Sequence, residues 1–265
     1  MNEETKWKKS YSSALVVILL VIALPGLLIP VKYRLVAWLL TLLLMMLFTL
    51  IVGIGLCGRC LGVFIDERNF VSLSRFQIVV WTLVVISAIL VAFLSNISSG
   101  IDYPLKIVIP PELWILMGIS VTSSVASPLI KNSQMEKDIS KDIDKIGELK
   151  KLANQRGIIK GSKDTFSNMG VILFKKDLTQ AHFIDIFKGE KLTDGGYLDF
   201  AKIQMFYFTI ILVIAYGVAI GRMFLSEASA IGSLPPFDSA ILALIGISHT
   251  GYLSNKAVTG PIKNK

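Results

Sequence analysis

The run SRFQIVVWT, Ser74 to Thr82, sets a glutamine and a threonine five residues apart in an otherwise apolar stretch, and AKIQMFYFT, Ala201 to Thr209, repeats that spacing. Both lie at the start of segments long enough to cross a bilayer, Phe76 to Leu94 and Ile203 to Leu225. A spanning helix needs about 20 mainly apolar residues, because in hydrocarbon the chain must satisfy its own backbone hydrogen bonds. A polar pair used twice at one depth therefore bears on how such helices dock.

The composition agrees with a membrane chain. Hydrophobic residues make up 53% and charged residues 17%, with a mean hydropathy of +0.65, against roughly 45–50% and 25% in soluble domains. Six segments read as spans. Ala14 to Pro30, Leu35 to Leu56, Phe76 to Leu94 and Ile203 to Leu225 are clear, whereas Leu113 to Ile130 and Ser239 to Ala257 carry several serines or threonines. The first follows Lys6, Lys8 and Lys9 as a signal peptide would. It is long, however, ends in PGLLIP without a small-x-small cleavage site and leads straight into the second span, so it reads as a retained helix.

Lysine and arginine set the expected orientation. With the N-terminus inside, twenty-three of them fall on the cytoplasmic side, and only Lys32, Arg34, Lys106 and Arg222 fall outside. Both termini are thus expected in the cytoplasm. The net charge of +8 is mostly a topology signal and argues only weakly for nucleic-acid binding.

Laid over each other at an offset of 127 residues, Ser72 meets Asp199, Arg75 meets Lys202, Gln77 meets Gln204, Thr82 meets Thr209 and Ala88 meets Ala215. A second helix follows in each copy: LWILMGISVT, Leu113 to Thr122, matches ILALIGISHT, Ile241 to Thr250, at an offset of 128, each after a proline pair. The polar and small residues are what match, which points to an internal duplication. Both copies start on the cytoplasmic side, so the repeat is parallel. Inverted repeats underlie many alternating-access carriers, and a parallel one weakens that reading without removing it.

Ser72 or Asp199 can cap the first helix of each copy, with Ser74 and Gln77 as a rival capping box. Arg75 and Lys202 are placed to snorkel to headgroups. Gln77 and Gln204 lie about one turn inside, where the amide bonds a neighbouring helix or reaches interfacial water. Thr82 and Thr209 sit deeper, and a membrane threonine by default bonds its own helix's preceding turn. In the second helices, Gly118, Thr122 and Ala126, and Gly246, Thr250 and Ser254, fall four apart on one face, which suits close helix approach. The competing reading is a wet path lined by Ser120, Ser123, Ser124 and Ser127 with Ser248 and His249. Gly217 with Gly221, and Gly58 with Gly62, add two GxxxG spacings.

Residues 131–200 form the sizeable soluble portion. Met135, Ile139, Ile143, Ile146, Leu149 and Leu152 recur at helical spacing amid dense charge, predicting an amphipathic helix that ends near Gly157. VILFKKD reads as a short strand or turn. HFIDIFKGE reads as a short amphipathic helix whose Phe183, Ile184, Ile186 and Phe187 lie on the membrane surface with Lys188 and Lys191 at the headgroups, or else pack into the domain. About seventy residues make a marginal core alone, so contact with membrane, bundle or partner is expected.

Catalytic chemistry has no convergent candidates. His182 and His249 are the two histidines, far apart in the chain. Cys57 and Cys60 form one CxxC, whereas a structural zinc site wants four ligands. GIGLCG lacks the lysine of a phosphate-binding loop. The spans carry no acidic residue, which weakens ion-coupled transport. No catalytic residue, metal site or cofactor is expected.

GVFIDERNFVSLSRFQIVVWT, together with LMGIS and LIGISHTGYLSNK, resembles a group of bacterial multi-pass membrane proteins of uncharacterised activity that share an SLSR-Q-WT element followed by LMGIS. The resemblance covers the two repeats, about a third of the chain. It implies a bacterial inner-membrane protein and carries over no site residues. The expected architecture is all-α, a polytopic transmembrane helix bundle of about six spans. Residues 1–12 precede a transmembrane hairpin at 13–56, an interfacial connector at 57–75 and repeat 1 at 76–130. The cytoplasmic segment at 131–200, mainly helical, leads to repeat 2 at 201–257 and a tail at 258–265. The expected function is non-enzymatic, an oligomerising membrane anchor or scaffold whose segment 131–200 binds a cytosolic partner. The alternative is a small oligomeric channel gated by that segment. Candidate packing or pore-lining residues are Gln77, Thr82, Gly118, Ser120, Thr122, Ser124, Gln204, Thr209, Gly246, Ser248, His249 and Thr250. The expected partners are the lipid bilayer, further copies of the chain and a cytosolic protein.

Overall fold

The computed structural model describes residues 7–135, 166–169, 172–191, 197–226 and 230–257. The helices are α1 (Lys9–Val21), α2 (Leu24–Leu28), α3 (Arg34–Cys57), α4 (Leu73–Ser98), α5 (Pro111–Met135), α6 (Phe200–Leu225) and α7 (Ser239–Ala257). Strands β1 (Phe166–Met169) and β2 (Ile172–Lys175) pair antiparallel, with Phe166 opposite Lys175 and Met169 opposite Ile172. The amphipathic helix expected over Met135 to Leu152 lies, beyond Met135, outside the described residues.

Four helical stretches are long and apolar enough to cross a membrane: Lys9–Leu28, Val31–Cys57, Leu73–Ser98 and Phe200–Leu225. The two remaining expected spans hold shorter apolar stretches, Pro111–Thr122 and Ser239–Ser254. Serine and threonine dilute both, as does His249 in the second. The first span is two helices, broken just before Pro25, where the ring removes a backbone donor. Helix α3 stops at Gly58, whose φ of 67° suits a residue without Cβ. Gly58 and Gly62 therefore share no helix face. Gly62 instead sits in the following turn against the Gly53 carbonyl, where a Cβ would collide with backbone.

The chain divides into two compact units. The first comprises residues 1–63, 77–118 and 209–243. Its buried positions on α4 recur every three or four residues, Trp81, Val84 and Val85, Ala88, Val91 and Ala92, then Ser95, which places that helix at the centre of the unit. Trp38 of α3 packs on Phe224 of α6, and Gly221 meets Leu35 at 3.6 Å from an ideal Cβ. The loops that precede α5 and α7 pair directly. Val108 and Ser233 form a parallel bridge in which Val108 N–H donates to Gly232 O at 2.8 Å and Leu234 N–H to Val108 O at 3.0 Å.

The second unit comprises residues 64–76, 119–208 and 244–265. Its apolar core gathers Ile65, Val71 and Leu73 from the connector, Ala181 and Ile186 from the soluble segment, Met205 of α6 and Tyr252 of α7. Ile65 pairs with Val71 around a tight loop at Asp66–Asn69. Asn69 takes φ 62°, a left-handed conformation that asparagine tolerates. Its side-chain amide then reaches Lys175 O at 2.7 Å, while Lys175 N–H donates to Arg68 O at 3.0 Å, docking the loop on β2.

Candidate functional site

Two sets of polar residues stand out, one in each unit. In the first unit several polar side chains buried between helices pair with one another, while Thr41 Oγ1 and Gln77 Oε1 are buried without a hydrogen-bond partner among the described residues. Gln77 Nε2 donates to Thr209 Oγ1 at 2.7 Å, Arg34 Nε to Ser95 Oγ at 2.6 Å, and Trp38 Nε1 to Ser87 Oγ at 2.9 Å. Asn96 clasps the loop after α6, donating to Ile231 O at 3.0 Å and accepting from Ile231 N–H at 2.9 Å. Burying a polar group costs free energy unless it finds a partner, so these pairs fix which helix faces meet.

The glutamine–threonine pair thus joins the two stretches matched in sequence: Gln77 of the first meets Thr209 of the second. The reciprocal arrangement is not formed. Gln204 is exposed on α6, and Thr82 is half-buried on α4. Thr209 accepts from another helix in addition to whatever its own backbone offers. The rival capping box fails for the same reason, since the Gln77 amide is engaged at Thr209 and Ser74 Oγ is buried without a partner among the described residues. Asp199 does cap α6, its Oδ1 accepting from Ala201 N–H at 3.0 Å and Lys202 N–H at 3.3 Å.

Helices α5 and α7, matched in sequence, bury their similar patterns differently. On α5 Leu113, Leu116 and Ser120 are buried, and on α7 Leu242, Ile245 and His249. The buried face is therefore displaced by one residue from the sequence match, so Ser248 is half-buried where its counterpart Ser120 is buried. An ideal Cβ on Gly118 or on Gly246 would meet nothing within 4 Å. Thr122 and Thr250 are exposed, and Thr250 Oγ1 donates to its own helix at Gly246 O, 2.8 Å. The small-residue face makes no packing contact within the described chain at these glycines. The side chains of Ser123, Ser124 and Ser127 lie outside the described residues.

The second set is a buried ion cluster that sequence reasoning missed. Glu190 Oε1 accepts from Lys202 Nζ at 2.9 Å, and Glu190 Oε2 lies 2.9 Å from Lys256 Nζ and 3.4 Å from Arg68 Nη2. Arg68 also holds Asp66 Oδ2 through Nε at 3.1 Å and Nη2 at 2.7 Å. Lys256 Nζ approaches Tyr252 Oη at 3.2 Å, and Lys202 Nζ donates to Lys188 O at 2.7 Å. Burial by itself lowers the pKa of the Arg68 guanidinium, but Glu190 and then Asp66 outweigh it and hold it above its ordinary value. Arg68 is charged at any working pH. Beside the cluster, Lys175 pairs with Asp185 and lies 4.5 Å from the Phe70 ring centroid.

Lys202 therefore does not snorkel; it turns inward to Glu190 and is buried. Arg75 stays at the connector, donating to Ile65 O at 2.6 Å. Residues Phe183–Phe187 form a 3-10 turn in which Asp185 and Ile186 are buried while Phe183 and Ile184 are exposed, so only part of the expected surface face points outward. Cys57 and Cys60 are both free thiols. Among the described residues no three of His, Cys, Asp and Glu come together as a metal site.

Arg68, Glu190 and Lys256 lie so far apart in the chain that no local spacing announces them. The one available signal was the charge-dense IDERN loop beside a span. Comparison with known proteins returns no matching family model, no matching curated protein and no matching solved structure.

Proposed function

We propose that this protein is a non-enzymatic multi-pass membrane anchor that oligomerises and holds a cytosolic partner through residues 131–200. The observation that carries the reading is the pairing of buried polar side chains in the helical unit. Arg34, Trp38, Gln77 and Asn96 all spend their donors on neighbouring helices or loops. A conducting lumen asks the reverse, polar groups left facing water. The open positions beside Gly118 and Gly246, with Thr122 and Thr250 exposed, support association between copies, because small residues let helix backbones approach closely.

Six spans, a parallel two-helix repeat and cytoplasmic termini in a bacterial inner membrane belong to the same proposal. The direct pairing of the two proline-flanked loops, and the bond from Gln77 of one copy to Thr209 of the other, support the repeat. Exposed Gln204, against buried Gln77, makes the proposed symmetry approximate.

The channel is the second reading, and it rests on the serines of α5 and α7 with the half-buried Ser248 among them. Purified protein in liposomes decides between them. The anchor reading expects no ion flux and specific capture of one cytosolic protein by the full chain, lost when residues 136–165 are deleted. Flux that disappears on replacing Ser120 and Ser248 by leucine sinks it.

A further inference from the structure

We infer that Arg68, Lys202 and Lys256 form a site for a phosphate monoester or inorganic phosphate, and that Glu190 occupies this site in the present structure. The three cations come from separate stretches of chain, yet their nitrogens converge within 3.4 Å of one carboxylate. Asp66 engages Nε and Nη2 of Arg68, and Nη1 is left buried with no acceptor among the described residues. A buried guanidinium nitrogen without an acceptor costs free energy that a further anionic oxygen removes.

The charges point the same way. Among the described residues three cations face Asp66 and Glu190, a surplus of one positive charge. With Glu190 withdrawn the surplus is two, which matches a phosphate monoester near neutral pH, about −1.5 to −2. Glu190 offers two oxygens, whereas phosphate offers three or more to the two ammonium groups and the unused arm of the guanidinium. Glu190 has the least buried side chain of the five, 13% exposed against 2% for Arg68 and 5–6% for the others, which makes it the group to be displaced. The inference rests on this geometry and holds whether or not the anchor reading does.

Free phosphate and the headgroup of phosphatidic acid present the same chemistry. The test uses the full-length protein, wild type and Glu190→Gln, in phosphatidylcholine nanodiscs, and follows the thermal midpoint. In one arm inorganic phosphate is titrated against chloride at matched ionic strength; in the other, phosphatidic acid is added to the bilayer without free phosphate. The expected result is a saturable rise in midpoint for Glu190→Gln in at least one arm. Its apparent affinity should be at least tenfold tighter than that of the wild type, because the internal competitor is gone. The arm that responds identifies the source. Adding Lys256→Met to Glu190→Gln should abolish the response. Glu190→Ala, which also removes the carboxylate, carries the same comparison if Glu190→Gln does not fold. No response in either arm, or an equal response in the Lys256→Met double variant, overturns the inference.

Discussion

Gln77 shows how much one amide can decide. It is almost fully buried, and its donor to Thr209 crosses from α4 to α6 within a single chain. Hydrogen bonds between membrane helices contribute about 0.6 kcal/mol on average and up to about 1.7. Replacing Gln77 by leucine should therefore lower the stability of the detergent-solubilised monomer by about 1 kcal/mol, read as a lower thermal midpoint, with no change in oligomeric state. Gln204→Leu removes no bond of that kind and should leave the midpoint unchanged. Lys175 poses a harsher case. It pairs with Asp185, and both side chains are buried. Removing one partner of a buried pair typically costs about 3–5 kcal/mol, because the other charge is stranded. Lys175→Met should cost in that range, and the double change with Asp185→Leu should recover much of it. A midpoint that falls no further in the single variant than in the double would contradict the pairing.

The helices were legible at the level of elements because hydropathy is summed over some twenty residues, and four of them pass on that ground alone. Close approach was less legible, because glycine spacing does not reveal what lies opposite. Gly217 and Gly221 do face α3, through Trp38 and Leu35. Gly58 and Gly62 share the same spacing but one ends a helix and the other sits in a turn. These differences are measurable. Gly62→Ala would press a methyl into the Gly53 carbonyl, backbone that cannot swing aside, and should destabilise by about 1–3 kcal/mol in a denaturant or thermal series. Gly118→Ala and Gly246→Ala meet open space and should leave the monomer's stability intact or slightly improved. If that face joins copies of the chain, the same two changes should weaken the oligomer in cross-linking or sedimentation measurements. The ion cluster was the least legible part. Its members are each ordinary membrane-edge charges in sequence, and only folding shows that Lys202 turns inward while Arg75 does not.

For the whole molecule, orientation is the first testable consequence. Cys60 is exposed just beyond the end of α3, at the end assigned to the cytoplasm by the lysine and arginine count. A membrane-impermeant maleimide should modify it in inside-out vesicles and spare it in right-side-out ones; the opposite pattern reverses the topology. The order in which the chain is made is the second. Residues 64–76, 119–208 and 244–265 build one unit together, so that unit cannot close before its third stretch has been made. Arg68 emerges beside Asp66, two positions away, and is neutralised at once. Glu190 follows and meets Lys202 a dozen residues later, while Lys256 arrives last. Arg68 and Glu190 thus each gain a partner within a dozen residues of chain. A polypeptide halted before Lys256 would leave Glu190 Oε2 with Arg68 alone beside it, the last of the three cations still missing.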